Sequence, residues 1–396
     1  MKEPLLFICH RIPYPPNKGD KLLAWQMLKH LSADFDIYLA GFVDDRKDWA
    51  HVEFLREVCA EVKMLGIRPG LRKLKSLLAL LECEAQTTMF YRSKSLQTWI
   101  KQKVAERQIK KGLAFSSGVA PFLMQAKLDL RIMSLVDLDS HKWALYAQES
   151  KAPMRWLYRR EARYLFAYEQ HLASHCHATT LVTDLEAMPL RLACPMADIR
   201  TVNNGVDTLY FSPENAGANP YPEQHPVLAF TGAMDYWPNI DAVLHFAHSV
   251  WPSIKSLCPQ ALFYVVGSKP ADSLKALHGH NGICVTGFVA DVRPYIAYAQ
   301  AIVATLRIAR GVQNKVLEAM AMGKWVLINK TTAKGVPAQD QQDYLLCPDE
   351  QKLIAEATRL LQQPRQFNQA ARTYIEKHHS WSFNLRTYNE LLCTPQ

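Results

Sequence analysis

The amino-acid sequence predicts an α/β protein made of two parallel-sheet domains, and three observations predict it. Short runs rich in Val, Ile, Leu and Phe alternate with longer helical patterns almost from end to end. The runs are apolar throughout, not at every second residue, which is the pattern of strands covered on both faces by helices. A proline-rich stretch with few large apolar residues, between Asp207 and Pro226, divides a chain of 396 residues, more than one ordinary core organises.

The elements follow in order. Met1 to Pro4 is too short a lead, too soon interrupted, for a signal peptide, so Leu5–Cys9 reads as a first buried strand. Phe35–Val43, Val62–Ile67, Leu113–Ser116, Ile132–Asp137, Thr179–Thr183 and Ile199–Val202 continue the first domain. Val227–Thr231, Leu262–Val266, Ile283–Thr286, Ala301–Ala304 and Trp325–Asn329 form the second. Several of these runs end in a turn residue followed by a helix start, as at Gly232, Gly267 and Gly287. Ligands of such sheets bind beyond the carboxyl ends of the strands. The expected division is a domain over residues 1–207, a linker over 208–225 and a domain over 226–379, with a last helix in 380–396.

Hydrophobic residues make up 49% and charged residues 21%, the composition of a soluble globular protein and not of a disordered one. No run has the length needed to span a bilayer. Nine cysteines stand singly, without a C-x-x-C pair, and the odd count argues against a disulfide framework. Reduced thiols and a cytoplasmic location are expected. A net charge of +9 calls for an anionic partner: nucleic acid, acidic lipid or a phosphorylated substrate.

One segment concentrates the chemistry, Arg307-Ile308-Ala309-Arg310-Gly311-Val312-Gln313-Asn314-Lys315-Val316-Leu317-Glu318-Ala319-Met320-Ala321-Met322-Gly323. Val312 to Met322 are mostly helix formers, and Gly323 is a natural stop. Gly311, Lys315, Glu318 and Met322 share one helix face. Gly311 at the helix entrance lets a backbone approach closely, and the free amides there attract phosphate. Lys315 one turn in could reach the same anion, and Glu318 could accept hydrogen bonds from sugar hydroxyls. An amphipathic helix with a surface Lys–Glu pair accounts for the same spacing equally well.

The wording of that segment, Lys315-Val-Leu-Glu318-Ala-Met-Ala-x-Gly323, resembles the hallmark of family 4 of the retaining glycosyltransferases, which have the two-domain GT-B fold. Other pieces agree with it in order along essentially the whole chain. Val202-Asn203-Asn204-Gly205-Val206-Asp207 with Phe211, Phe230-Thr231-Gly232, Tyr264-Val265-Val266-Gly267 and Val285-Thr286-Gly287-Phe288-Val289 are similar to the family's strand ends. Three further stretches resemble the branch of sugar transferases that accompanies bacterial exopolysaccharide and exosortase (PEP-CTERM) systems. They are His10-Arg11-Ile-Pro13-Tyr-Pro15-Pro-Asn17-Lys18-Gly19-Asp20-Lys21, Asp137-Leu-Asp139-Ser140-His141-Lys142-Trp143, and Gly232-Ala-Met-Asp235-Tyr-Trp237-Pro238-Asn239.

The resemblance implies two Rossmann-like domains facing a central cleft, the last helix crossing back to the first domain. It implies transfer of a sugar, with retention, from a nucleotide-sugar donor to a polyprenyl-linked saccharide in exopolysaccharide biosynthesis, without a metal or other cofactor and without nucleic acid. The donor site it implies takes in Gly19, Gly232, Gly267, Phe288, Gly311, Lys315 on the diphosphate and Glu318 on the ribose. Two departures stand out: the family's first acid is Arg310 here, and the basic pair usual after Gly232 is absent. Arg310 is then expected to grip a donor phosphate or, alternatively, to pair with a neighbouring carboxylate.

On the acceptor side, Asp137, Asp139 and His141 follow an apolar strand, and one of them would deprotonate or orient the acceptor hydroxyl. A helix cap by Asp139 or Ser140 explains either residue as well. Asp137-Leu-Asp139 and Asp34-Phe-Asp36 spell the D-x-D of single-domain metal-dependent transferases, which a two-domain layout argues against. His175, His177, His378 and His379 have no metal-site spacing. The stretch 68–81, basic and then Leu-rich, and Met154 to Tyr168 with Trp156, Arg159, Arg160 and Arg163, suit docking on an anionic membrane, the inner face of the cytoplasmic membrane. The rival expectations are a nucleotide-sugar epimerase of the same fold and a non-catalytic basic protein binding nucleic acid or lipid.

Overall fold

Runs of β-branched, aromatic and leucine side chains pack well on both faces of a pleated sheet, and the chain uses them in that way twice. A computed structural model describes residues 2–17, 19–67, 70, 72, 76, 84–308 and 312–393. It divides into two units, Met1–Asn203 with Leu385–Gln396, and Asn204–Asn384.

The first unit holds seven strands, β1 (Glu3–Cys9), β2 (Phe35–Val43), β3 (Glu61–Gly66), β4 (Lys111–Phe115), β5 (Leu130–Val136), β6 (Ala178–Leu181) and β7 (Ile199–Thr201). They lie in the order β3-β2-β1-β4-β5-β6-β7, every pair parallel. Leu5 to Cys9 are fully buried. The helices that matter below are α1 (Gly19–Leu31), α2 (Gln86–Tyr91), α3 (Lys94–Glu106), α4 (Ala120–Met124), α5 (Asp139–Glu149), α6 (Met154–His175) and α7 (Asp184–Ala193).

The second unit holds β8 (Val227–Thr231), β9 (Leu262–Val266), β10 (Ile283–Gly287), β11 (Ala301–Ala304), β12 (Trp325–Ile328) and β13 (Leu345–Leu346), in the order β10-β9-β8-β11-β12-β13, again all parallel. The period of two is visible in its cores: Leu228 and Phe230 enter one, Val227 and Ala229 the other. Its helices include α8 (Trp237–His245) and α9 (Asn314–Ala321). Residues 208–225, read from the sequence as a linker, are seated on this unit: Ala216 and Tyr221 are buried in its core, and the Tyr221 hydroxyl donates to the Tyr295 carbonyl at 2.5 Å.

The last helix, α10 (Trp381–Cys393), changes units partway. From Leu385 it belongs to the first, where the buried Tyr388 hydroxyl is 2.8 Å from Thr180 Oγ1 and donates to Ser134 Oγ at 3.1 Å. In each sheet the strand order reverses beside its first strand, at β1/β4 and at β8/β11. Those reversals open crevices at the carboxyl ends, where α/β sheets take ligands. Among the described residues no helix is long and apolar enough to cross a membrane.

Candidate functional site

In the second unit β8 ends at Thr231 and turns through Gly232, at φ +149°. A side chain on Gly267, at the end of β9, would stand 1.7 Å from the Gly232 carbonyl oxygen, so the two turns touch backbone to backbone. That leaves an uncluttered floor beside the reversal point. α9 starts just beyond β11, and the β11 exit is braced by Thr332, whose hydroxyl donates to Ala304 O (2.8 Å) and accepts from Leu306 N (3.1 Å). Arg307 grips Asp241 of α8 through two bonds of 2.9 and 3.0 Å. α9 itself stops as the sequence predicts: Gly323 adopts φ +63°, and a Cβ there would fall 2.0 Å from the Phe367 ring.

Lys315 points back toward that floor. Its ammonium donates to Asn239 Oδ1 at 2.5 Å and lies 4.1 Å from the centre of the Phe230 ring. Asn239 is fixed in turn, its Nδ2 donating to Ala233 O at 2.8 Å. A Cβ on Gly232 would come within 3.1 Å of Lys315 Nζ, so the ammonium sits directly against the glycine turn. Burial pushes Lys315 down to about 7 and Glu318, one turn on, up to about 7, while the attraction between them opposes both shifts. A buried ammonium whose bonded partner is a neutral amide is an incomplete arrangement. Two buried oxygens at this end of the unit, Thr231 Oγ1 and Asn314 Oδ1, also lack a partner among the described residues.

The structure therefore brings Gly232, Gly267 and Lys315 together, with Glu318 next along the helix. Phe288 follows β10 and is 77% exposed, free to meet a planar group. Arg310 and Gly311 lie outside the described residues, as does most of the basic stretch 68–81. Asn239 is the residue that sequence reasoning passed over, although it stood in the motif quoted with Gly232.

The first unit has its own cluster at the carboxyl ends of β1, β2, β4 and β5. His10, just past β1, lies flat against Phe115 with ring centres 5.9 Å apart, and its Nε2 is 3.2 Å from Asp20 Oδ2. Arg11 donates to the same Asp20 oxygen at 2.7 Å and pairs with Asp44 at 2.9 Å. Burial alone would raise the Asp20 carboxyl, but the His10 hydrogen bond and the Arg11 charge outweigh it and hold the group far below the usual carboxylate range. At Gly19, the first residue of α1, a Cβ would meet nothing within 4 Å among the described residues.

Val136, at φ 71°, and a register shift in the β5–β6 pairing turn the chain sharply at Asp137. A left-handed β-branched residue costs on the order of 1–3 kcal/mol, which the surrounding structure must supply. Of the three acceptor-side candidates, Asp139 is the one drawn inward. Ser117 donates to it at 3.2 Å, and burial raises its carboxyl against the pull of Lys142 and His10. Asp137 and His141 are exposed, the His141 ring resting 6.1 Å from Phe166. His10 and Asp20 went unnamed as site residues in the sequence reading. His10 directly follows the apolar run Leu5–Cys9, whereas Asp20 stands in the first turn of α1, and no local pattern pairs the two.

Comparison with known proteins fits this geometry. Residues 225–363, the greater part of the second unit, match the family model of Glycosyl transferases group 1. No curated protein matches the chain by sequence. Among solved structures, HepE of Anabaena in complex with UDP is 15% identical with a TM-score of 0.67, the match covering 99% of both chains. Sucrose-phosphate synthase of Thermosynechococcus elongatus is 15% identical at a TM-score of 0.70, covering 99% of this chain and 98% of that one. WaaG, a glycosyltransferase involved in lipopolysaccharide biosynthesis, is 14% identical at 0.63, covering 98% and 100%. At such identities the likeness concerns the fold, and the fold is GT-B. The likeness to glycosyl transferases group 1 is confined to residues 225–363 of the second unit.

Proposed function

We propose that this chain, a glycosyltransferase by the match over its second unit, moves a sugar from a nucleoside-diphosphate donor to a polyprenyl-linked saccharide in exopolysaccharide assembly, with retention at the transferred carbon. One observation carries the donor half: the buried Lys315 ammonium, held by the neutral Asn239 amide against the Gly232 turn. A diphosphate gives that ammonium a charged hydrogen-bond acceptor, where the partner it has among the described residues is a neutral amide. Lys315 and the first amides of α9 then take up the charge of the departing nucleoside diphosphate as the sugar–phosphate bond breaks. Arg310 and Gly311, which precede that helix in sequence, and Gly19 at the start of α1 are proposed as further phosphate contacts. Glu318 accepts from the ribose, and Phe288 meets the base.

Asp139 is assigned to the acceptor, whose hydroxyl it orients as the new bond to the sugar forms on the face that the diphosphate leaves. Asp137 and His141 are alternatives at the same helix start. The exposed Arg155, Trp156, Arg159 and Arg163 of α6 are assigned to an anionic membrane surface on the cytoplasmic side. A resident metal has no part in this scheme, so activity should withstand EDTA.

Nucleotide release from UDP-, GDP- and TDP-sugars, with lipid-linked saccharides as acceptors, tests the reaction; UDP is the first probe because HepE was solved with it. Lys315→Ala and Glu318→Ala should each lower turnover about a hundredfold or more, since a charge on the leaving diphosphate is worth a few kcal/mol. Circular dichroism should find both variants folded. Near-parental turnover in Lys315→Ala would remove the centre of the proposal.

A further inference from the structure

A cavity of about 830 Å³ opens inside the first unit between α3 and α6, with α2 and α4 closing its ends, and none of the groups assigned above lines it. Its two long walls differ in chemistry. On α3, Lys94, Gln97 and Lys101 line it at positions i, i+3 and i+7, a single helix face. On α6, Tyr164 and Tyr168 line it one turn apart, and Phe122 of α4 joins them. One wall is cationic and the other aromatic.

Among the described residues the charge on the cationic wall is not balanced locally. The acid at the rim, Glu84, is engaged by Arg92 at 2.7 Å, and neither lysine has a carboxylate partner among the described residues. Gln97 Nε2 is buried and has no hydrogen-bond partner among the described residues. A buried amide N–H left open in a cavity wall is ordinarily satisfied by water or by a ligand oxygen. The size is that of a small-molecule site. The aromatic wall offers broad apolar surface and little that would read the polar edges of a nucleobase.

We propose that this cavity binds an anionic amphiphile, its phosphate held by Lys94, Lys101 and the Gln97 amide and its apolar chain lying on Phe122, Tyr164 and Tyr168. The inference is independent of the sugar-transfer reading, because binding here is measured without any reaction. Full-length protein is titrated by calorimetry with farnesyl phosphate, lysophosphatidic acid, farnesol, inorganic phosphate and UMP.

Farnesyl phosphate or lysophosphatidic acid should bind at least tenfold more tightly than farnesol or phosphate, and the stronger of the two tells whether a prenyl or an acyl chain is the natural one. K94A/K101A together should weaken that binding tenfold or more. Ala167→Trp, which fills the cavity from an exposed position of α6, should abolish it. UDP binding should be unchanged in both variants. Equal affinity for farnesol, tighter binding of UMP, or unaltered binding in either variant would overturn the proposal. Should Ala167→Trp fail to fold, the exposed lysine pair decides alone.

Discussion

Lys315 carries its ammonium where water scarcely reaches, bonded to the Asn239 amide oxygen and lying over Phe230. Burial brings its proton affinity down to about 7, so near neutrality the free protein holds it partly uncharged. A phosphate beside it favours the charged form. Donor binding above pH 7 should therefore take up a proton, and nucleotide affinity should fall as the pH rises. Calorimetry of UDP at pH 8, in buffers of different ionisation enthalpy, should show that uptake in the parent and in Glu318→Gln but none in Lys315→Met. At this scale the sequence was partly legible. Lys315 and Glu318 could be paired by counting along one helix. Asn239 lies 76 positions from Lys315, and its role arises only when the turn after β8 folds under α9. His10 and Asp20 meet for a similar reason, one after β1 and the other in the first turn of α1.

Two buried acids of α6 govern the helices around them. Glu161 accepts from the Gln86 and Thr87 amides at 2.6 and 2.9 Å and caps α2; Glu169 accepts from Ser140 N at 3.2 Å and caps α5, directly behind Asp139. Burial pushes the Glu169 carboxyl up to about 8, with Asp139 adding to the shift and the Ser140 bonds opposing it. Its folded value thus exceeds the ordinary one near 4.5, and the folded chain binds more protons than the unfolded chain between those limits. Stability from this group is complete below about pH 4.5 and is lost as the pH climbs toward 8. Urea unfolding at pH 5, 6.5 and 8 should show a decline in the parent that is shallower in Glu169→Gln. Neither cap could be read locally, because N-cap signals lie next to the helix they start and these acids are 29 and more positions away. The strands were legible from their apolar runs alone. β13 was missed because two residues, Leu345 and Leu346, carry no period.

Across the molecule, each unit has its own sheet and core, and ligand and mutation should act on them separately. UDP at a hundred times its Kd stabilises what it binds by about 2.7 kcal/mol. Hydrogen exchange should show that protection in β8 to β12, with little change in β1 to β7. Tyr388→Phe should do the converse, costing the first unit about 1–2 kcal/mol through the lost bonds to Thr180 and Ser134 and leaving UDP affinity intact. The proline-rich boundary was readable from composition, but the return of α10 to the first unit was read only through a family likeness, since nothing local in Trp381 to Cys393 says which sheet it serves. That return has a consequence for how the protein is born. The ribosome delivers the first 203 residues, then all of Asn204–Asn384, and only then the segment carrying Tyr388. At about 5–20 residues per second, the first unit waits on the order of ten seconds or more with the Ser134 and Thr180 hydroxyls unanswered. The second unit, though later in the chain, is thus the first to emerge whole, and the nascent first unit is the one exposed to chaperones and proteases in the interval.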